Sequence, residues 1–358
     1  MVNENLRDVW QSSNSGLAQL PNYQFTQLPN QNMSLPAFKF LRPRSLRQAV
    51  DYLARHGNDL AILAGGTDLL PSMKQKLFTP GYVMDIRGIE EIQGIHVRPG
   101  AGVEIGALTP LSAIEDSEFI RRSYRVLHEA AMTVASPILR NMGTLGGNIC
   151  LDTRCVWYNQ SLQWRRSCGF CIKKDGDLCH VAPGGKFCWA AFSGDTPPAL
   201  LCLGAEVEIA GQTGLRRVAL KDFYTNVGDA RMKLERNEML TRVFLPESSA
   251  GWKGSYMKLR IRGSIDYPLA GVAVALKKNG GPVENARVAI TAVNPAPLLV
   301  KGAESALVGK QIDEHVAAVV GELAAKMAKP LTTSGLTPEY RREIVKVYAK
   351  RAVMNCGS

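Results

Sequence analysis

The sequence predicts an α+β chain, with a mixed α/β unit first and an antiparallel sheet backed by two helices after it. Three observations carry this. Short apolar strands alternate with helical patterns between residues 45 and 134. Three strand-length runs, 253–262, 268–277 and 285–293, follow one another with only turns between them. Two helical stretches, 312–328 and 337–353, close the chain.

The elements follow in order. Residues 1–34 are rich in Asn, Gln and Ser, lack periodicity and read as an extension. SLRQAVDYLARHG (45–57) reads as a helix. Ser45 stands at its N-cap, Leu46, Ala49, Val50, Leu53 and Ala54 share an apolar face, and Gly57 is placed to end it. DLAILAGG then reads as a strand and TDLLPSMKQK as a turn. Strands are expected at 82–86, 92–97 and 103–108, and helices at 111–121 and 123–134. Residues 150–192 have little periodicity, and a loop this long inside a domain is unusual unless functional. ALLCLGAEVEIAG then resumes strand character. No internal repeat is visible.

Composition narrows the function. The 358 residues suit two or three domains, and 46% hydrophobic content supports large cores. A net charge of +11 points to anionic partners, but no basic run is interleaved with aromatics, so nucleic acid is excluded. An anionic cofactor and an acidic protein partner remain. No apolar run approaches the ~20 residues of a membrane span. The N-terminal VNENLRDVWQSSNSG has no apolar h-region, so a cytoplasmic protein is expected. In that reducing compartment, eight cysteines read as metal ligands rather than disulfides.

Two glycine turns stand out. Ala64-Gly65-Gly66-Thr67-Asp68-Leu69 ends an apolar strand, and Gly143-Thr144-Leu145-Gly146-Gly147-Asn148 precedes the cysteine stretch. Paired glycines let backbone N–H groups approach a phosphate, and two such turns suit a dinucleotide. Either can also be a plain tight turn. Neither is the G-x-G-x-x-G fingerprint of a nicotinamide site. In Ser193-Gly194-Asp195-Thr196-Pro197, Asp195 can meet a ribose or flavin edge, or cap a helix. Lys258, Arg260 and Arg262 alternate on one strand face, which suits phosphate or solvent.

Six cysteines fall in 150–192: Cys150, Cys155, Cys168, Cys171, Cys179 and Cys188. Zinc sites favour paired short spacings, and only Cys168-x2-Cys171 supplies one. The wide spacing, with Trp157, Tyr158, Trp164, Phe170, Trp189 and Phe192 nearby, suits a shielded iron–sulfur cluster. The ligand choice stays open at this level. Cys202 reads as core, and His180 as a solvent-facing loop residue. No hydrolytic constellation is present.

AGGTDLLP, NMGTLGGNI, SGDTPPAL and YMKLRIRGSIDYPLAGVAVAL together resemble the FAD-binding subunit of molybdenum hydroxylases, over about residues 35–355. That family includes the medium subunit of carbon monoxide dehydrogenase and the flavin domain of xanthine dehydrogenase. The segments LDTRCVWYNQSLQWR and CIKKDGDLCHVAPGGKFCWAAFSGD resemble the β subunit of 4-hydroxybenzoyl-CoA reductase.

The resemblance implies an FAD-binding domain of the vanillyl-alcohol-oxidase/PCMH type over 35–245, carrying a 4Fe–4S insertion at 150–192. A carbon-monoxide-dehydrogenase-flavoprotein-like C-terminal domain at 246–358 follows. It implies that FAD meets Ile62, Leu63, Ala64, Gly65, Gly66, Thr67, Asp68, Leu69, Thr144, Leu145, Gly146, Gly147, Asn148, Asp195, Leu240 and Lys258. It implies cluster ligands Cys155, Cys171, Cys179 and Cys188, with Cys150 and Cys168 left free. No residue of this chain is expected to be catalytic. The implied partners are a molybdopterin-binding large subunit, a small subunit with two 2Fe–2S clusters and a ferredoxin-like donor, in an (αβγ)2 heterohexamer. The implied activity is reductive removal of a phenolic hydroxyl from an aromatic acyl-CoA. The alternatives are a related molybdenum enzyme working oxidatively and a zinc-stabilised nucleotide-binding module.

Overall fold

Strand β1 (Lys39–Leu41) leads into helix α1 (Leu46–His56), strand β2 (Leu60–Leu63), helix α2 (Leu69–Lys74) and strand β3 (Tyr82–Asp85). These strands form a parallel sheet in the order β1-β3-β2. The structure is a computed structural model that describes residues 34–357. The sequence-level extension therefore lies, apart from Ser34, outside the described residues.

Ser45 caps α1 by accepting from Gln48 N at 3.2 Å, and Ala49 and Leu53 bury the apolar face. Gly57 ends α1 in a right-handed conformation, so its role is not backbone freedom. A Cβ there would lie 2.4 Å from Arg236 O, so close approach demands the glycine. The TDLLPSMKQK segment is helical rather than a turn. Pro71 sits in the first turn of α2, where a missing N–H has no intrahelical acceptor to lose.

Strands β4 (Ile95–Arg98) and β5 (Gly102–Gly106) begin a second sheet. Helices α3 (Leu111–Asp116), α4 (Glu118–Ser123), α5 (Arg125–Met132), α6 (Pro137–Arg140), α7 (Leu145–Ile149), α8 (Leu162–Ser167) and α9 (Thr196–Leu203) follow. The helix expected at 111–121 is thus split. Ser117 leaves helical geometry and caps α4 by accepting from Ile120 N at 3.3 Å. ALLCL, expected as strand, is the fully buried helix α9, ended by Gly204 at φ 72°.

Strands β6 (Glu206–Gly211) and β7 (Gly214–Ala219), helix α10 (Leu220–Phe223) and strand β8 (Met239–Pro246) complete the five-stranded antiparallel sheet β4-β5-β8-β6-β7. Its inner face packs with α3, α5 and α9 into the largest core, which includes Ile105, Leu127, Leu200, Ile209 and Val243.

The last third matches the sequence expectation closely. Strands β9 (Lys253–Leu259), β10 (Ala270–Lys277), β11 (Asn285–Thr291) and β12 (Leu298–Leu299) form an antiparallel sheet. Helices α11 (Ala303–Leu307), α12 (Glu314–Met327) and α13 (Pro338–Gly357) follow. Val274, Ile290, Val320, Val345 and Val353 form the core between sheet and helices. Arg341 is completely buried there and donates to the carbonyls of Leu269, Leu331 and Ala292. Among the described residues, no helix is long and apolar enough to cross a membrane.

The 150–192 segment holds one short helix, α8, and is pinned by a bridge between Arg154 and Ala191. It folds back on the first glycine turn, where Arg154 pairs with Asp68, rather than standing off as a separate finger. The Arg165 guanidinium, 2% exposed, secures it by donating to Lys76 O at 2.9 Å.

Candidate functional site: a glycine-walled cleft beside a cysteine-lined cavity

The two glycine turns meet. An ideal Cβ on Gly65 would lie 1.9 Å from Met142 O, so only glycine lets the first turn touch the second. Gly146 abuts the end of β5, where a Cβ would lie 2.7 Å from that of Ala107. Thr144 caps α7 by accepting from Gly147 N at 3.1 Å. Asn148 Oδ1 accepts from Thr196 N at 3.0 Å and from Thr196 Oγ1 at 2.8 Å, tying the second turn to the start of α9.

These turns wall a cleft of about 960 Å³. Ile62, Ala64, Gly65, Gly66, Thr67, Asp68 and Leu69 line it from the first turn. Thr144, Gly146, Gly147 and Asn148 line it from the second, and Asp195 and Leu240 complete that side. Leu63 and Leu145 turn into the core, at 8% and 0% exposure, and lie behind the wall.

Lys258 also lies behind the wall. Its Nζ bonds Asp195 Oδ2 and Thr133 O, both at 2.9 Å, while Tyr256 OH donates to Asp195 Oδ1 at 2.7 Å. Asp195 stands at the N-cap position of α9 but makes no capping bond, because its carboxylate is engaged here. Burial pushes the Asp195 carboxyl above its usual range, and Lys258 and Tyr256 oppose that. The open strand face expected for Lys258, Arg260 and Arg262 is not found. Arg260 donates to Thr133 O at 3.5 Å, and Arg262 pairs with Asp266 at 3.4 Å.

Lys258→Met is expected to destabilise the fold by roughly 3 kcal/mol at neutral pH, because it strands a buried carboxylate. The loss should shrink as pH falls. In the variant Asp195 would be protonated more readily folded than unfolded, so the penalty develops only as pH rises past the unfolded carboxyl pKa. Denaturant midpoints across pH check this, and a pH-independent loss would contradict it.

A cluster not visible in the sequence closes one side of the cleft. Arg154 forms an ion pair with Asp68 and stacks on the Tyr267 ring at 3.7 Å. Tyr267 OH donates to Asp68 Oδ1 at 3.1 Å. The partners are far apart along the chain and come from three separate segments, so no local motif joins them.

The second cavity is lined by Cys155, Cys171, Cys179 and Cys188, with Trp157, Tyr158, Lys173, His180 and Trp189 among their neighbours. Cys150 lines the flavin cleft instead, and half-buried Cys168 lines neither space. His180 is not solvent-facing: its ring stacks on Trp157 at 4.4 Å and its Nε2 meets Phe170 O at 2.5 Å.

The cavity is small, about 20 Å³. Among the described residues, no group of three or more His, Cys, Asp or Glu side chains is placed to hold a metal ion. Burial pushes the Cys155 thiol up to about 11 and the Cys188 thiol up to about 12. A cationic group between them would reverse that, since thiolates are the ligating form.

The two spaces share a wall. Leu77 lines the cleft and also packs among the cysteines. Asp152 and Arg154 line the cleft, and Cys155, next along the chain, lines the cavity.

A large cleft cradled by paired glycine turns on this fold defines a dinucleotide-binding protein, and the comparisons specify which. Residues 36–248 match the FAD binding domain in molybdopterin dehydrogenase, and residues 254–356 match the CO dehydrogenase flavoprotein C-terminal domain. The chain belongs to the family of FAD-binding medium subunits of molybdenum hydroxylases. It is 32% identical over 317 residues to the carbon monoxide dehydrogenase medium chain of Afipia carboxidovorans, covering 88% of this chain and 96% of that one. It is 27% identical over 318 residues to the glyceraldehyde dehydrogenase medium chain of Sulfolobus acidocaldarius, covering 88% and 97%. The crystal structure of the cyanide-inactivated Cu,Mo-CO dehydrogenase superposes with a TM-score of 0.74 at 30% identity, covering 90% of this chain and 99% of that one. The chain is thus an FAD-binding subunit of an oxidoreductase.

Proposed function

We propose that this chain is the FAD and 4Fe–4S electron-transfer subunit of a molybdenum enzyme of the 4-hydroxybenzoyl-CoA reductase type. The observation that carries the reading is the cavity formed by Cys155, Cys171, Cys179 and Cys188 against the wall of the flavin cleft. We divide the chain into an FAD domain at 35–245, with the cluster insertion at 150–192, and a C-terminal domain at 246–358. The flavin contacts are assigned to Ile62, Ala64, Gly65, Gly66, Thr67, Asp68, Leu69, Thr144, Gly146, Gly147, Asn148, Asp195 and Leu240, with Leu63, Leu145 and Lys258 supporting the wall from behind.

When bound, FAD handles one or two electrons and an iron–sulfur cluster handles one, which suits a relay between a one-electron carrier and a two-electron reduction. The chain's residues hold and isolate these groups. Glycine turns offer backbone N–H groups to the pyrophosphate, and the Asp195–Lys258–Tyr256 cluster fixes the start of α9 against the cleft. Trp157 and Trp189 supply apolar cover beside the cysteines. The +11 charge suits docking of an acidic ferredoxin-like donor through salt-sensitive steering.

The relatives are named for carbon monoxide, glyceraldehyde and nicotine, so this subunit type serves many substrates. Substrate choice therefore belongs to a molybdopterin-binding large subunit, reached through a small subunit with two 2Fe–2S clusters. The test is iron, acid-labile sulfide and FAD content of the purified protein, with molybdenum assayed in whatever co-purifies. Iron with equimolar sulfide alongside FAD is expected. Zinc without flavin would overturn the reading in favour of a nucleotide-binding module.

A further inference from the structure

A buried charged assembly stands in the wall between cleft and cavity. Lys173 and Tyr158 line the cysteine cavity, while Asp152 and Arg231 line the flavin cleft. Lys173 Nζ donates to Asp152 Oδ1 and Thr153 O, both at 2.9 Å, and to Gly228 O at 3.3 Å. It lies 4.5 Å from the centre of the Tyr158 ring, and its side chain is only 6% exposed. Arg231 Nη1 meets the same Asp152 oxygen at 3.3 Å, and its Nη2 donates to Cys150 O at 3.2 Å.

Gly228 completes the link to the cysteines. A Cβ there would lie 2.8 Å from Cys188 Sγ, so the carbonyl that holds Lys173 belongs to a residue packed on a cavity sulfur. Burial would raise the Asp152 carboxyl, but Lys173 and Arg231 outweigh it and keep the group below its usual range. Two cations therefore face one anion, and these three groups together carry one net positive charge. Neutral hydrogen bonds would suffice to pin a loop, and burying a charge costs free energy that they do not.

We propose that the Lys173–Asp152–Arg231 assembly tunes both redox sites, with Lys173 the positioning residue whose ammonium favours arrival of an electron on either side of the wall. This rests on reading the four cysteines as ligands of an iron–sulfur group. One electron leaves a reduced iron–sulfur carrier protein, which is oxidised by one, and adds one negative charge at the cavity. Passing to the flavin moves that charge to the opposite face of the same wall. In both places it lies beside a fixed positive charge in a poorly screened interior.

The test measures the midpoint potentials of the iron–sulfur and flavin signals in the purified protein, by redox titration with electron paramagnetic resonance and absorbance. Lys173→Met should shift both to more negative values, Lys173→Arg should restore them, and Asp152→Asn should shift them the other way. A purely structural tie would not give opposite signs. Unchanged potentials, or shifts of one sign in both variants, overturn the proposal. If Lys173→Met loses its cofactors, Asp152→Asn decides alone: a positive shift supports the proposal and no shift overturns it. Absence of iron from the wild-type protein would instead sink the cysteine reading, and the flavin potentials would then decide the role of Lys173.

Discussion

Cys171→Ser is expected to lose most of its iron and keep its FAD. Cys171 is 8% exposed and lines the cavity with Cys155, Cys179 and Cys188. Serine nearly matches its volume, so the change neither opens a cavity nor overpacks the site. What is lost is a thiolate, and a hydroxyl is a poor replacement because iron–sulfur groups are held by thiolate sulfur. The flavin cleft is built from other residues and should survive. Iron and flavin are assayed on the same sample, with Cys168→Ser as the control that keeps both. Full iron content in Cys171→Ser would refute the ligand set and point to Cys168.

Gly65→Ala is expected to lose FAD and to destabilise the fold by roughly 3 kcal/mol. The added methyl would sit 1.9 Å from Met142 O and 2.6 Å from its carbonyl carbon. Both are backbone atoms, so no side chain can swing away. The turns must separate, and their spacing is what lets both approach one pyrophosphate. Gly143→Ala is the matched control, since its nearest obstacle is Leu139 O at 3.2 Å, which asks for only a small adjustment. The flavin-to-protein absorbance ratio after gel filtration, with a denaturant midpoint, decides. Stoichiometric flavin in Gly65→Ala would remove the contact between turns from the binding argument.

The parts of the fold that were legible are those written in short-range pattern. The capped helix α1 and the strands β9, β10 and β11 follow from local periodicity. Local misreadings were few and had local causes. Pro71 suggested a turn but sits where a helix tolerates it, and Ser117 split a helix that periodicity joined.

The site was less legible, because its polar contacts join distant residues. Asp195 meets Lys258 63 positions away, and Asp68 meets Arg154 86 positions away and Tyr267 199 positions away. No local pattern encodes such pairs. They arise where Asp195, at the start of α9, meets Tyr256 and Lys258 of β9, and where the loop after β9 brings Tyr267 to Asp68.

The sequence alone determined that this chain has two glycine turns suited to a dinucleotide, and that a cysteine-rich segment is inserted between flavin-type motifs. Those are statements about residue type and adjacency. Only the tertiary structure decided that four of the six inserted cysteines face one cavity, and that this cavity shares a wall with the flavin cleft. The physical reason is that a wall is made of side chains pointing to opposite sides of one backbone. Asp152 and Arg154 line the cleft, Cys155 and Lys173 line the cysteine cavity, and spacing along the chain does not say which way a side chain in an irregular segment will turn.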